Sequence, residues 1–100
     1  MYQDRGLWVA RNIANNMGIE GTISNSRKKG KRFMITRPDG VKIHFGSYPY
    51  TGDGTYNLEH GDKKIRKAWK ARHRKILVDG KPAYKNPDSP EYYSWRILWT

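Results

Sequence analysis

The stretch Lys31–Gly46, KRFMITRPDGVKIHFG, constrains the fold more than any other part of the chain. Phe33, Ile35, Val41, Ile43 and Phe45 share one face if the stretch is a hairpin turning at Arg37-Pro38-Asp39-Gly40. Period-2 apolar spacing marks a half-buried strand. Proline presets the first turn position, and glycine accepts the left-handed conformation that closes a bulged turn. All five apolar residues are therefore expected in the core. The opposite face then carries Arg32, Met34, Thr36, Lys42 and His44, and aims cations at whatever lies outside.

Helices are expected to cover the apolar face. Leu7, Ala10, Ile13, Ala14 and Met17 follow helical spacing, with Asp4 as N-cap and Gly18 as terminator. NSRKKGKR, Asn25–Arg32, reads as a basic loop leading into the hairpin. Asp62 is expected to cap a second helix running to about Leu77. Its stripe of Ile65, Ala68, Trp69, Arg72 and Ile76 would pack on the hairpin. DGKPAYKNPDSP reads as a turn-rich connector. Ser89-Pro90-Glu91 combines a cap, a first-turn proline and an acid at the positive end of the helix dipole. The helix that follows is expected to press Tyr92, Trp95 and Leu98 or Trp99 onto the hairpin.

The expected architecture is a small single α+β domain. An antiparallel β-hairpin or small sheet packs against a basic helix, with short N- and C-terminal helices. Residues 1–30 would form the N-terminal helix and basic loop, a candidate partner-binding arm. Residues 31–100 would form the compact α+β body.

Charge points outward from this body. Twenty Lys and Arg stand against nine Asp and Glu in 100 residues, a net charge of +11. Self-repulsion at that density costs stability unless an anionic partner relieves it. The sequence DKKIRKAWKARHRK carries eight Lys and Arg, with Asp62 its only acid. Such a helix can lie along a phosphate backbone and release counterions, or meet an acidic protein surface. It has too few apolar residues on its other face to lie in a lipid interface. The candidate polyanion-binding or partner-binding residues are Arg27, Lys28, Lys29, Lys31, Arg32, Lys42, Lys63, Arg66, Lys67, Lys70 and Arg74. Tyr48 and Tyr50 join them, because aromatics in a glycine-rich loop have little local reason to be buried, and Trp8 is a further anchor. Trp69, Trp95 and Trp99 are expected in the core. Lys81 and Lys85 extend the spread of charge.

Other classes are disfavoured. The chain has no cysteine, so disulfides and thiolate metal sites are excluded. No apolar run approaches the roughly 20 residues that span a bilayer, and the first residues lack a signal-peptide pattern. A soluble, intracellular chain is expected. His44, Asn57 and His73 loosely follow a ββα-metal nuclease order, but the gap between strand and helix is long and the further metal ligand is undefined. His60 and Asp62 form only a His-x-Asp pair. No set of acid, base and nucleophile emerges, and the expectation is no enzyme, no cofactor and no metal.

Several steps together carry a resemblance: His44-Phe45-Gly46, then a Tyr/Thr loop, then Arg66-Lys67 and Arg72-His73 on a helix, then Ser94-Trp95 and Leu98-Trp99 in a tryptophan-rich end. Over roughly Lys31 to Thr100 the chain resembles small basic proteins of unknown function encoded by large double-stranded DNA viruses of eukaryotes, whose ends read like WSRWLLW. It departs from them in a longer loop, PYTGDGTYNLEHGD, and in Trp69 where tyrosine is expected. The resemblance implies a non-enzymatic virion component, such as a minor capsid or cement-like protein. Its expected partners are viral capsid proteins or another acidic surface, and its expected location is the virion, with host cytoplasm or viral factory before assembly. A sequence-nonspecific nucleic-acid-binding protein, with DNA as partner, is the alternative.

Overall fold

The computed structural model describes residues 4–47 and 55–100, with side chains from residue 6 onward. Helix α1 is Asp4–Asn16, followed by strands β1 (Thr22–Asn25), β2 (Lys31–Thr36) and β3 (Lys42–Ser47). A π-turn over Tyr56–His60 leads into α2 (Lys63–His73). Two short strands, β4 (Leu77–Val78) and β5 (Lys81–Pro82), precede α3 (Pro90–Tyr93), which runs on as a second π-turn over Ser94–Leu98.

The expected hairpin is the centre of a three-stranded antiparallel sheet in the order β1-β2-β3. Phe33 faces Phe45 and Ile35 faces Ile43 across β2 and β3, and Ile23 of β1 faces Ile35. These five side chains are buried on one face. Val41 is a correction: it is 43% exposed. The ladder ends at Thr36–Lys42, and at the mouth of the turn Val41 accepts the Arg37 N–H on its carbonyl and donates its own N–H to Asp39 Oδ1. It has the right parity but sits beyond the surface that the helices cover. The turn itself forms at Arg37-Pro38-Asp39-Gly40, with the Gly40 N–H bonded to the Arg37 carbonyl at 2.9 Å and Gly40 at φ +88°.

Strand β1 was not expected. Thr22-Ile23-Ser24-Asn25 has one apolar residue and so no readable alternation. The basic stretch Asn25–Arg32 is thus the connection of a second hairpin: the Ser26 N–H reaches the Arg32 carbonyl at 3.0 Å and the Lys31 N–H the Lys28 carbonyl at 3.1 Å. Gly21 begins this strand at φ +125°, where an added Cβ would lie 2.7 Å from the Thr36 carbonyl oxygen.

Helix α1 sets Ala10 and Ala14 into the same core as Ile23, Phe33 and Phe45. Residues 4–30 therefore supply a helix and a strand to the body that residues 31–100 were expected to form alone. The helix ends as expected at Gly18, where the Ile19 N–H bonds back to the Ala14 carbonyl at 2.9 Å. Met17 is exposed, and the proposed Asp4 cap lies outside the described side chains.

At the C-terminus, the Ser89 hydroxyl accepts the Glu91 N–H and Pro90 occupies the first turn of α3. The buried face differs from expectation. Tyr93, Ile97, Leu98 and Trp99 enter the core, whereas Tyr92 and Trp95 are half-buried. The π-turn over Ser94–Leu98 adds a residue to the local repeat and moves both Leu98 and Trp99 inward. Phe45 lies between Phe33 and Tyr93, each ring centroid 5.9 Å away.

Helix α2 is shorter than expected. Asp62 caps it as read, its Oδ1 accepting the Lys64 and Ile65 N–H groups. The helix stops at His73 because residues 77–82 pair as a hairpin through Asp79 (φ 53°) and Gly80 (φ 77°), the Asp-Gly turn that matches strand twist. Ile76 is consequently 42% exposed, and Ala68 and Arg72 also face solvent. Ile65 and Trp69 alone of the expected stripe pack against the core, and they do so at its rim. Trp69 stacks on Trp99 at 4.6 Å, so α2 rests on the C-terminal segment more than on the sheet.

Candidate polyanion-binding site

Five of the described acids are committed elsewhere, and exposed Glu20 and Asp79 make no ion pair among the described residues. Glu59 holds Arg32 in two parallel bonds of 2.9 Å, and Oε1 also accepts the Thr55 N–H and hydroxyl. Burial pushes the Glu59 carboxyl up, but Arg32 and Thr55 together outweigh it and hold it below the ordinary carboxylate value. Arg37 grips Asp39 and Asp88 and donates to the Pro87 carbonyl, stapling the β2–β3 turn to the connector before α3. Glu91 lies 2.8 Å from His73 Nδ1, and Asp62 serves as a cap. Among the described residues, no ion pair joins a Lys or Arg of α2 to a carboxylate. Arg32, expected to point outward, is instead held by Glu59.

In place of acids, the helix cations meet rings. The Arg66 guanidinium lies 4.4 Å from the Tyr56 centroid. Lys70 Nζ lies 5.0 Å from the Trp95 centroid, and the Arg74 guanidinium lies 5.9 Å from the same ring. Trp95 stacks on Tyr84 at 4.1 Å and 21°, and Lys85 Nζ lies 5.7 Å from the Tyr84 centroid. Arg96 sits over Tyr92 at 3.7 Å and donates to the Tyr84 and Tyr92 carbonyls. Each such contact contributes about 0.5–2 kcal/mol and fixes where the charge is held, but none neutralises it. Partial burial, and then the charges of Arg66, Arg74 and Arg96, hold Lys70 below the ordinary lysine value. Two cations thus share one tryptophan ring, and among the described residues neither has a carboxylate in an ion pair with it.

The other expected residues are dispersed. Lys63 and Lys67 are exposed on α2. Arg27, Lys28 and Lys29 are exposed at the β1–β2 turn, while Lys31 is half-buried at its base. Ser26 ties this turn to the outer sheet face, accepting the Lys28 N–H and lying 2.7 Å from His44 Nδ1. Lys42 is exposed at the far end of the ladder, five strand steps or about 17 Å from Lys31. Trp8 is 67% exposed on α1. Tyr48 and Tyr50 lie outside the described residues. Tyr84 and Arg96 were not expected at the site. Their signal was an aromatic next to a cation in the sequence, Tyr84-Lys85 and Trp95-Arg96.

The histidines do not converge. His44 bonds Ser26, Asn57 donates to the Ile97 carbonyl at 2.8 Å, and His73 stacks on Trp69 at 3.8 Å while facing Glu91. His60 accepts the Asp62 N–H on Nδ1, and its Nε2 is buried without a partner. Among the described residues, no three His, Asp or Glu side chains are grouped to hold a metal ion, and no helix is long and apolar enough to cross a membrane.

No curated protein and no solved structure matches the chain. A family model, described as a family of unknown function (DUF5754), matches residues 21–73. The match begins at Gly21 and runs through the whole three-stranded sheet to the last residue of α2. It contains His44-Phe45-Gly46 and the Arg66-Lys67 and Arg72-His73 steps, and it leaves the tryptophan-rich end outside. It also includes residues 21–30, a segment with no expected likeness, which is where β1 and its basic turn form. With the sheet and the basic helix both inside a match that spans more than half of its length, the chain belongs to the family of unknown function DUF5754.

Proposed function

We propose that this is a non-enzymatic interaction protein that binds nucleic acid through the cations of α2, without sequence preference. The observation that carries the reading is the division of charge. Five of the described acids, Glu59, Asp39, Asp88, Glu91 and Asp62, are engaged by Arg32, Arg37, His73 or the α2 cap. Among the described residues, exposed Glu20 and Asp79 pair with no cation, while the Lys and Arg of α2 have no carboxylate partner. A phosphate backbone supplies the missing counter-charge, and the released counterions drive association. The dispersal of His44, Asn57 and His73 among separate partners supports a role without catalysis.

The test is binding to two duplexes of unrelated sequence at low and high salt. Equal affinities that fall steeply with salt are expected. The variant K63E/K67E/K75E changes three exposed side chains that make no ion pair, so it should keep the fold and lose binding. Strong preference for one duplex, or no binding at low salt, would overturn the reading.

A second reading has its own support. The basic β1–β2 turn and Lys42 stand at opposite ends of the sheet, and Trp8 is exposed on α1. Cations in separate places suit a protein wedged among several acidic neighbours, such as the minor capsid or cement-like virion component that the resemblance implies. Tight association with an acidic capsid protein, without DNA binding at low salt, would favour it.

A further inference from the structure

We infer that the α2 site takes a single strand of nucleic acid, with one unpaired base stacked on the ring of Tyr84. This inference rests on the reading of α2 as a polyanion site and adds the strandedness of its ligand. Arg66, Lys70 and Arg74 are four residues apart and so form one column on the helix, with steps of about 6 Å along its axis. That step is close to the separation of neighbouring phosphates along one strand. Tyr56 and Trp95 hold the column in place from behind.

Beside the column lies a short aromatic pile. Trp69 touches Trp95 at 5.9 Å, and Trp95 stacks on Tyr84. The pile ends at Tyr84: among the described residues no further ring lies against it, and the ring is only half-buried. Its position is rigid, because neighbouring Ala83 is buried and Arg96 holds the Tyr84 carbonyl. Lys85 projects over the Tyr84 ring and can turn to a phosphate flanking a base placed there. A base within a duplex already has both faces covered by its neighbours, whereas an unpaired base offers one to Tyr84. An acidic peptide has carboxylates for the column but nothing flat for the ring.

The experiment compares an oligothymidylate strand, the same strand with abasic sugars, and a duplex of equal length. Each is titrated against the full chain and against Y84A, Y84L and Y84F, with folding checked by thermal melt. Loss of a base–aromatic stack weakens binding about 10-fold. The thymidylate strand should lose that factor with Y84A and Y84L and keep its affinity with Y84F. The abasic strand and the duplex should bind the full chain and Y84A alike. Equal losses on all three ligands, or no loss on thymidylate with a folded Y84L, would overturn the base slot while leaving the polyanion reading intact. Failure of every ligand to bind at low salt, with an acidic protein bound instead, would overturn both.

Discussion

Phe45→Ala tests the packing argument at its centre. Phe45 is fully buried between Phe33 and Tyr93, with both centroids at 5.9 Å. Removing a buried phenyl ring costs about 3–5 kcal/mol. Two tilted aromatic contacts vanish with it, each worth about 0.5–1.5 kcal/mol beyond area, which places the substitution near the upper end of that range. A domain of this size has about 5–15 kcal/mol in all, so the variant loses from about a third to all of its stability. Its melting temperature should fall on the order of 20 °C. The paired control is Val41→Ala, which shares the strand parity of Phe45 but is 43% exposed and should cost under about 1 kcal/mol. The assay is urea and thermal unfolding of both variants by circular dichroism. Equal losses, or an unmoved melt for Phe45→Ala, would refute the assignment of the core to the covered face of the sheet.

Three further outcomes follow from particular contacts. In Glu59→Gln, the Arg32 pair is removed; because the folded carboxyl titrates below its ordinary value of 4.5, its contribution is present above that pH and lost on acidification. The variant should thus be less stable at pH 7 and show a shallower decline below about pH 4.5 in a melt series. Lys70→Met keeps the stem on Trp95 and removes a charge whose folded value is depressed from 10.5. Charging Lys70 opposes folding at neutral pH, and that cost fades as pH rises through the ordinary lysine value. The variant should melt no lower than the parent at pH 7 yet bind DNA more weakly. Gly21→Ala forces a Cβ to 2.7 Å from the Thr36 oxygen and should cost about 1–3 kcal/mol, more than Gly30→Ala, where nothing lies within 4 Å.

Legibility in the sequence followed the range of the interaction. Caps are local chemistry, so Asp62 and Ser89-Pro90-Glu91 marked their helices correctly. The Arg37–Gly40 turn and the facing of Phe33, Ile35, Ile43 and Phe45 were equally plain. Val41 was misread because parity says nothing about where a covering helix ends. Strand β1 was hidden because an edge strand with one inward residue needs no alternation. The early end of α2 was signalled by Asp79-Gly80, a hairpin turn inside what read as a connector. The surroundings of the candidate site residues were half legible. Exposed Lys63 and Lys67 were readable from charge alone, but Arg32 was lost to Glu59, 27 residues away. The aromatic seating of Lys70 and Arg74 on Trp95, and of Trp95 on Tyr84, depends on how α2 crosses the C-terminal segment, which no local pattern encodes.

The salt dependence of DNA binding tests the central claim most directly. If α2 and the two residues after it engage about four phosphates with the eight Lys and Arg of Lys63–Lys75, log K should fall against log salt with a slope of about −3 to −4. Neutralising Lys63, Lys67 or Lys75 singly with glutamine should lower the slope by about 0.9 each. Neutralising Arg27, Lys28 and Lys29 in the β1–β2 turn should leave it unchanged. A slope near zero, or one that responds to the turn and not to the helix, would contradict the account.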